Sequence, residues 1–340
     1  MGTSHRKSGV KSMVGRLRSG LATLFDLPDG YEVLLGNGGS TVFWDIATLG
    51  LIRERSQHLV FGEFSSKFAE ASAAAPFLGP PSVIKADPGT RPQATAEDGI
   101  DAYCLTHNET STGVSIDIAR PPGTTATGDG PADGLVLVDA TSGAGGLRVD
   151  ASQFDTYYFA PQKSFASDGG LWIALCSPAA VARIAEVKAG GRWIPASLDL
   201  TIALDNSRQD QTYNTPALAT LFLFVHQLEW MLEGGGLEFA AGRCDASARH
   251  LYGWAEASVF CSPFVAKPDD RSAVVATVDF TDEIDAEIVE KILRANGILD
   301  CHPYRKLGRN QLRVAMFPAI DPSDIEALTA CIDHVVAHLA

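Results

Sequence analysis

The sequence lacks the features that mark membrane and secreted proteins. No apolar run approaches the roughly 20 residues that a transmembrane helix needs, and the polar start of the chain, residues 1–12, has no apolar segment behind it. The six cysteines contain no CxxC pair and no regular spacing, which argues against a disulfide framework. The sequence therefore predicts a protein of the reducing cytoplasm, with no membrane partner.

Positive charge is also scarce. Acidic residues outnumber basic ones 41 to 27, and the formal net charge of -14 is the opposite of what binding to nucleic-acid phosphates requires. Any phosphate that this protein binds must therefore lie in a local pocket. The length of 340 residues and the hydrophobic fraction of 46% suit an ordinary globular protein with one large and one smaller domain.

Short apolar runs alternate with longer amphipathic ones along most of the chain. Strands are predicted at residues 31–35, 58–61, 82–85, 101–106, 135–139, 156–160 and 171–176. Helices are predicted at residues 14–25, 41–53, 67–75, 217–233 and 237–257. Several of these strands are apolar throughout, as strands covered on both faces are. The order predicts an α/β domain with a large, mostly parallel sheet.

A second unit follows this domain. Its pattern is strand, helix, strand, helix, at residues 273–280, 285–296, 311–316 and 322–339. We therefore predict a large α/β domain at residues 1–262 and a small α+β domain at residues 263–340. The segment 121–134 is rich in Pro, Gly, Thr and Asp, which predicts an exposed loop.

Two strand ends carry candidate catalytic residues. Lys163 follows the apolar strand 156–160 among aromatic residues, and desolvation there can lower the pKa of its amine enough for covalent attachment of a carbonyl cofactor. Asp139 ends the strand 135–139, where a carboxylate can pair with the ring nitrogen of pyridoxal phosphate. Taken singly, Lys163 is more simply interpreted as a surface lysine, and Asp139 as a helix cap or a magnesium ligand. The two together are more informative than either alone.

A glycine-rich turn is predicted at residues 36–41, between a strand and a helix. Free amides at the helix start, with the hydroxyls of Ser40 and Thr41, suit a phosphate. The turn lacks the Lys-Ser/Thr ending of a P-loop and the last glycine of a dinucleotide fingerprint, so a nucleotide is weakly supported.

These segments belong to a longer series. In chain order the series is 2–6 (GTSHR), 36–41 (GNGGST), 62–65 (GEFS), 107–113 (HNETSTG), 139–146 (DATSGAGG), 160–163 (APQK), 211–217 (QTYNTPA) and 305–314 (RKLGRNQLRV). The series resembles the phosphoserine aminotransferase family of the class-V aminotransferases, in particular its actinobacterial branch. The resemblance implies a fold-type I transferase that uses pyridoxal phosphate and forms a homodimer with shared active sites. Its implied substrates are L-glutamate and 3-phosphohydroxypyruvate, which give O-phospho-L-serine and 2-oxoglutarate in serine biosynthesis, with pyridoxine biosynthesis as a further route.

The resemblance also implies a role for each matching position. Lys163 carries the cofactor and Asp139 holds its ring nitrogen. The other implied cofactor contacts are Ser40, Thr41 and Gln162 at the phosphate, Phe64 stacked on the ring, Thr110 at the phenolic oxygen, and Asn214 and Thr215 at the phosphate of the neighbouring subunit's site. Without the resemblance, Phe64 is a core residue, and residues 214–216 cap the helix that follows them.

Substrate contacts are implied in the same way. Arg313 matches the arginine that binds the α-carboxylate, while His5 and Arg6 match residues that contact the substrate phosphate. Arg305 and Arg309 are further candidates for anion binding. No metal site is predicted, because His334 and His338 have helical spacing but no third ligand.

One departure from the family is expected to matter. Members usually have a longer segment before the Ser-His-Arg motif, whereas this chain begins almost at Ser4. Two alternatives to a phosphoserine aminotransferase therefore stay open, namely a related transaminase acting on another oxo acid and a truncated, catalytically silent homologue.

Overall fold

The computed structural model describes residues 4–124 and 134–339. Its strands are β1 Glu32–Gly38, β2 Ser56–Val60, β3 Ser82–Lys85, β4 Ala102–Thr106, β5 Asn108–Glu109, β6 Val114–Ser115, β7 Leu135–Asp139, β8 Thr156–Phe159, β9 Gly170–Cys176, β10 Cys261–Pro263, β11 Val275–Phe280 and β12 Gln311–Ala315. Its α-helices are α1 Ser8–Leu24, α2 Ser40–Gly50, α3 Glu63–Ala74, α4 Pro178–Ala189, α5 Leu200–Ser207, α6 Leu218–Gly234, α7 Gly236–Ala257, α8 Ala286–Ala295 and α9 Pro322–Ala337.

Seven strands form the central sheet, in the order β1-β9-β8-β7-β4-β2-β3. Strand β9 is antiparallel to both of its neighbours, and the other strands run in one direction. Val136 and Val138 pack into the core on one face of the sheet, whereas Leu135 and Leu137 pack into the core on the other. The first four residues of β7 are all apolar because side chains on both faces of the sheet are buried. The predicted α/β class with a mostly parallel sheet is confirmed.

The C-terminal part of the chain has its own antiparallel sheet, β10-β11-β12, and its own hydrophobic core. Val278 and Leu312 of that sheet pack with Ile325 of α9 and with Leu251 of α7. Because α7 contributes to this core, the core draws on residues before position 262 as well as after it. The division of the chain at residue 262 stays a prediction.

Several local predictions differ from the structure; for example, the helix predicted at residues 14–25 begins at Ser8. Residues 36–38 were expected in a turn, but they continue β1 and pair with β9, so that only Gly39 separates β1 from α2. Gly36 lies opposite Trp172, and a Cβ atom at this position would lie 2.2 Å from the indole ring. The sequence patterns also assigned no element to α4 and α5, whose first turns are capped by Ser177 and Asp199.

The loop predicted at residues 121–134 lies only partly within the described ranges, because residues 125–133 fall outside them. Residues 121–124 belong to no helix or strand. Among the helices of the described ranges, none has both the length and the apolar composition needed to cross a membrane.

Candidate active site

The predicted cofactor residues follow strands at one edge of the central sheet. Strands β1, β2, β4, β7 and β8 run in the same direction, so their carboxyl ends lie at a common edge. Ser40, Phe64 and Thr110 follow β1, β2 and β4, Asp139 is the last residue of β7, and Gln162 and Lys163 follow β8. Ligands of open α/β sheets bind at this edge, where helices begin and loops leave the sheet.

Asp139 is the last residue of β7 and is buried, with 4% of its surface exposed. Its Oδ2 accepts a hydrogen bond from Nε1 of Trp44 at 2.7 Å, and its Oδ1 accepts from the backbone N and Oγ1 of Thr141 at 3.0 and 2.5 Å. All three donors are neutral. Burial raises the pKa of Asp139, and no basic side chain of the described ranges forms an ion pair with it. The carboxylate is therefore held in place, but no cation pairs with it in the part of the chain that the structure describes.

Lys163 lies in the turn after β8, the strand next to β7 in the sheet. Its side chain is half-buried. Burial, and secondarily the positive charge of Arg313, lower the pKa of its amine. A larger fraction of Lys163 is therefore uncharged at a given pH than of an exposed lysine, which is the form that attacks a carbonyl.

Arg313 connects the small sheet to this edge. It lies on β12, and its Nη1 donates to the backbone carbonyl of Thr110 at 3.4 Å. Its guanidinium carbon lies 5.8 Å from the ring centre of Tyr304, which in turn is 5.9 Å from the ring centre of Phe64. Burial lowers the pKa of Arg313. Two aromatic rings and a half-buried guanidinium thus lie beside the loop that carries Thr110.

A small hydrogen-bond network joins Thr110 to the loop after Asp139. Oγ1 of Thr110 donates to Oγ of Ser142 at 2.7 Å, and Nδ2 of Asn108 donates to the same oxygen at 2.8 Å. The Ser142 hydroxyl donates to the Asn108 carbonyl at 3.1 Å. These bonds fix the loops after β4 and β7 relative to each other.

Glu109 fixes the position of Phe64. Its carboxylate is fully buried and accepts hydrogen bonds from the backbone N–H groups of Phe64 and Ser65, at 3.3 and 2.9 Å, where α3 begins. The hydroxyls of Ser65 and Ser111 donate to it as well, at 2.8 and 2.6 Å. An anion at a helix start satisfies amides that the helix leaves unpaired. Glu109 therefore holds the first turn of α3, and with it Phe64.

The start of α2 is open to a ligand. Gly39 is extended, and a Cβ atom there would meet nothing within 4 Å. Ser40 is buried, yet its Oγ has no hydrogen-bond partner among the described residues. An unpartnered hydroxyl beside the free amides of a helix start is suited to an anion.

The residues expected to act across subunits form a separate group. Oγ1 of Thr215 and Nδ1 of His5 lie 3.0 Å apart, and Nη1 of Arg6 donates to Oε1 of Gln211 at 2.9 Å. Nδ2 of Asn37 donates to the carbonyl of Thr215 at 2.9 Å, which places this group near the end of β1. Asn214 and Thr215 are exposed.

Three further predicted positions, Arg305, Arg309 and Gln162, form no hydrogen bond with Lys163 or Asp139 among the described residues. Arg309 donates from Nε to both carboxylate oxygens of Asp279, at 3.1 and 3.0 Å, so its guanidinium is already engaged. Arg305 and Gln162 are exposed. The rings of His334 and His338 lie 4.3 Å apart, and the described residues contain no group of three or more His, Cys, Asp or Glu side chains suited to a metal.

These features fit pyridoxal phosphate. Within residues 4–124 and 134–339, the start of α2 has an unpartnered hydroxyl for the phosphate, and Asp139 has no cationic partner and can accept a hydrogen bond from a protonated ring nitrogen. Lys163 has an amine of lowered pKa. The sequence reasoning assigned no role to Trp44 or Glu109. Trp44 lies in an apolar helical run that is typical of a core, whereas Glu109 lies inside the matching segment 107–113 and could have been considered from it.

Known proteins resemble this chain over almost its whole length. The sequence pattern of the class-V aminotransferases matches residues 3–300. A phosphoserine aminotransferase from Nocardioides sp. is 63% identical over 339 residues, covering 100% of this chain and 89% of that protein. A putative phosphoserine aminotransferase from Mycobacterium leprae is 59% identical over 338 residues, covering 99% of this chain and 88% of that protein.

Solved structures show the same fold. The crystal structure of a phosphoserine aminotransferase from Cytophaga hutchinsonii has a TM-score of 0.89 at 25% identity, covering 98% of this chain and 91% of that one. A pyridoxamine-pyruvate aminotransferase from Mesorhizobium loti has a TM-score of 0.84 at 17% identity, covering 99% of this chain and 86% of that one, which shows a shared fold. The resemblance inferred from the motifs is confirmed, and the chain belongs to the class-V aminotransferase family.

Proposed function

We propose that this chain is a pyridoxal-phosphate-dependent phosphoserine aminotransferase. It transfers the amino group of L-glutamate to 3-phosphohydroxypyruvate, giving O-phospho-L-serine and 2-oxoglutarate in serine biosynthesis. The observation that carries the chemistry is the pair Asp139 and Lys163, at the carboxyl ends of the adjacent strands β7 and β8. Burial raises the pKa of the acid and lowers that of the amine. The names of the relatives support the choice of substrates.

Each residue has a distinct task around the cofactor. When bound, pyridoxal phosphate acts as an electron sink for the negative charge that develops at the substrate Cα. Nζ of Lys163 would hold the cofactor and, when free, would accept the proton that leaves the substrate Cα. Asp139 would pair with the ring nitrogen and keep it protonated. Ser40, Thr41 and Gln162 would hold the phosphate, and Phe64 and Thr110 would hold the ring.

Arg313 binds the α-carboxylate that both substrates share. A guanidinium can donate two parallel hydrogen bonds to a carboxylate, and burial strengthens such a pair. Support comes from the position of Arg313 next to Thr110 and from its effect on the pKa of Lys163. Arg313 comes from the small domain, which we propose begins at residue 263, so the active site uses both domains.

The active protein is a cytoplasmic homodimer in which each subunit completes the other's site. His5 and Arg6 contact the substrate phosphate, and Asn214 and Thr215 contact the cofactor phosphate, in both cases from the neighbouring subunit. Exposed apolar side chains support such an interface, namely Tyr213 next to Asn214 in sequence at 45% exposure, and Phe222 and Leu223 on α6 at 47% each. Nε2 of His5, buried and without a partner among the described residues, is suited to an anion.

The test is a coupled assay of the purified chain with pyridoxal phosphate, L-glutamate and 3-phosphohydroxypyruvate. We expect repeated turnover to 2-oxoglutarate only when both substrates are present, because glutamate alone can yield no more than one equivalent per active site. Glyoxylate and pyruvate serve as competing oxo acids, and faster turnover with either of them would assign the chain to another transaminase. A bound cofactor whose absorbance band does not change on adding glutamate would indicate a catalytically silent homologue.

A further inference from the structure

We propose that Trp44 is a positioning residue that ties the phosphate-binding end of α2 to the carboxylate of Asp139. Helix α2 then sets the distance between the site of the cofactor phosphate and the partner of its ring nitrogen. The inference rests on the proposed function. It concerns a tryptophan that lies outside all of the sequence segments on which the family resemblance was based.

The geometry depends on a four-residue spacing. Ser40 and Trp44 are one turn apart on α2, so their side chains lie on the same face of the helix. Both are buried, at 7% and 6% exposure. The unpartnered hydroxyl of Ser40 marks the anion end, and Nε1 of Trp44 donates to Oδ2 of Asp139 at 2.7 Å. One turn of α2 therefore carries both the residue expected at the cofactor phosphate and the residue that holds the partner of the ring nitrogen.

The two oxygens of Asp139 are held in different ways. Oδ1 accepts its hydrogen bonds from Thr141, two residues further along the chain, which orients the carboxylate only relative to its own loop. Oδ2 accepts from Trp44, 95 residues away in sequence and on another element. Trp44 alone among these donors relates Asp139 to the helix that carries Ser40.

Packing by itself does not require the indole N–H. Trp172 belongs to the same core cluster as Trp44, is buried to a similar degree, and has an Nε1 without a hydrogen-bond partner among the described residues. Replacing Trp172 by Phe removes a similar volume from the same core without removing a hydrogen bond. Trp172→Phe is therefore a matched control for Trp44→Phe.

The experiment compares Trp44→Phe with Trp172→Phe in the full-length protein. Pyridoxal phosphate is titrated into each apoprotein by absorbance, and the melting temperature of each apoprotein is measured. Because a hydrogen bond to a charged group is worth roughly a factor of ten or more, Trp44→Phe should weaken cofactor binding about tenfold. Trp172→Phe should lower the melting temperature but leave the affinity within about twofold.

A second comparison asks whether Trp44 acts through Asp139. Asp139→Asn is combined with each tryptophan variant, and the coupling is read from the cofactor affinities. We expect Trp44→Phe to add little on the Asp139→Asn background. In the Trp44→Phe single variant we expect kcat to fall, while the KM for glutamate stays within about twofold because Arg313 is untouched.

Two outcomes would overturn the proposal. One is an equal loss of affinity in the two tryptophan variants, which would reduce Trp44 to a packing residue. The other is a full tenfold effect of Trp44→Phe on the Asp139→Asn background. A different result, no loss of cofactor affinity in Asp139→Asn itself, would contradict the proposed role of Asp139, so the two failures can be told apart.

Discussion

Buried carboxylates have different hydrogen-bond and ion-pair partners at the two ends of the central sheet. At the amino end, Asp101 precedes β4 and forms an ion pair with Arg183 at 3.1 Å, and Asp155 precedes β8 and forms one with Arg120 at 2.5 Å. At the carboxyl end, Asp139 has only neutral hydrogen-bond donors among the described residues.

The difference goes beyond the ion pairs. Asp101 also accepts hydrogen bonds from the backbone N–H groups of Arg53, Glu54 and Arg55, at 2.7, 2.7 and 2.8 Å, so its charge is neutralised and its oxygens are fully used. Burial raises the pKa of Asp139, which means that its charge is poorly compensated within the chain. A buried carboxylate without a cationic partner costs free energy. A cationic ligand that pairs with it therefore gains more binding free energy there than beside a carboxylate that is already paired.

The same contrast applies to the basic residues. Arg183 is buried and Arg120 half-buried, each beside a carboxylate. Lys163, by contrast, has no carboxylate within ion-pair distance among the described residues and lies near another cation, Arg313. Ion pairs at the amino end stabilise the fold. At the carboxyl end, the unpaired groups are those suited to chemistry.

The largest effect is expected at Lys163. Lys163→Ala should lower turnover by at least roughly 10⁴-fold, because both covalent attachment and proton transfer depend on its amine. The coupled assay measures the rate, and borohydride reduction followed by peptide mass analysis measures the covalent adduct. A reducible lysine adduct that persists in this variant would show that another residue carries the cofactor.

A smaller but still large effect is expected for Asp139→Asn. The loss of the carboxylate should lower kcat by roughly 10²- to 10³-fold, since the ring nitrogen would lose its ionic partner. The free energy of unfolding of the apoprotein should change by only about 1 kcal/mol, because no ion pair is broken. Near-normal turnover in this variant would contradict the role proposed for Asp139.

Asp101→Asn should have the opposite effects, namely a large loss of stability and little change in activity. Leaving Arg183 buried without its carboxylate should destabilise the protein by about 3 kcal/mol. The cofactor affinity and the kcat of the folded protein should stay within about twofold, because Asp101 lies at the other end of the strands. Urea denaturation of the apoprotein gives the stability, and a comparable loss of kcat in this variant would remove the distinction between the two ends.

The smallest effect concerns the charge next to Lys163. Arg313→Gln removes a cation that lowers the pKa of the amine, so this pKa should rise and the uncharged form should appear at higher pH. The pH dependence of the rate at which the apoprotein captures pyridoxal phosphate measures this shift. Arg313→Lys, which keeps the charge, should leave the midpoint near that of the wild type. If the midpoint does not move in Arg313→Gln, burial alone sets the pKa.

Much of the fold could be predicted from local patterns. The apolar strands β4 and β7 and the amphipathic helices α6 and α7 lie within a few residues of their predicted bounds, because burial on two faces or on one face leaves a direct trace in the sequence. The turn expected at residues 36–38 was wrong for a nonlocal reason. Those glycines pair with β9, which lies more than a hundred residues further along the chain.

Long-range contacts were also missing from the prediction of the site. Trp44 has the sequence pattern of a core residue, and only the approach of β7 to α2 gives its N–H an acceptor. Arg309 was a candidate for anion binding because its sequence neighbours match the family, but Asp279, 30 residues away, already binds its guanidinium.

The sequence by itself determined most of the order of elements, the two-sided burial of the apolar strands and, through its motifs, the family. Periodicity and motifs are local properties, so they can be read along the chain. Only the tertiary structure decided which charges are neutralised. Asp101 and Arg183 are 82 residues apart in sequence and meet only in the folded protein, whereas Asp139 meets no cation in the described part of the chain. An ion pair depends on distance in space, and that distance is set by packing.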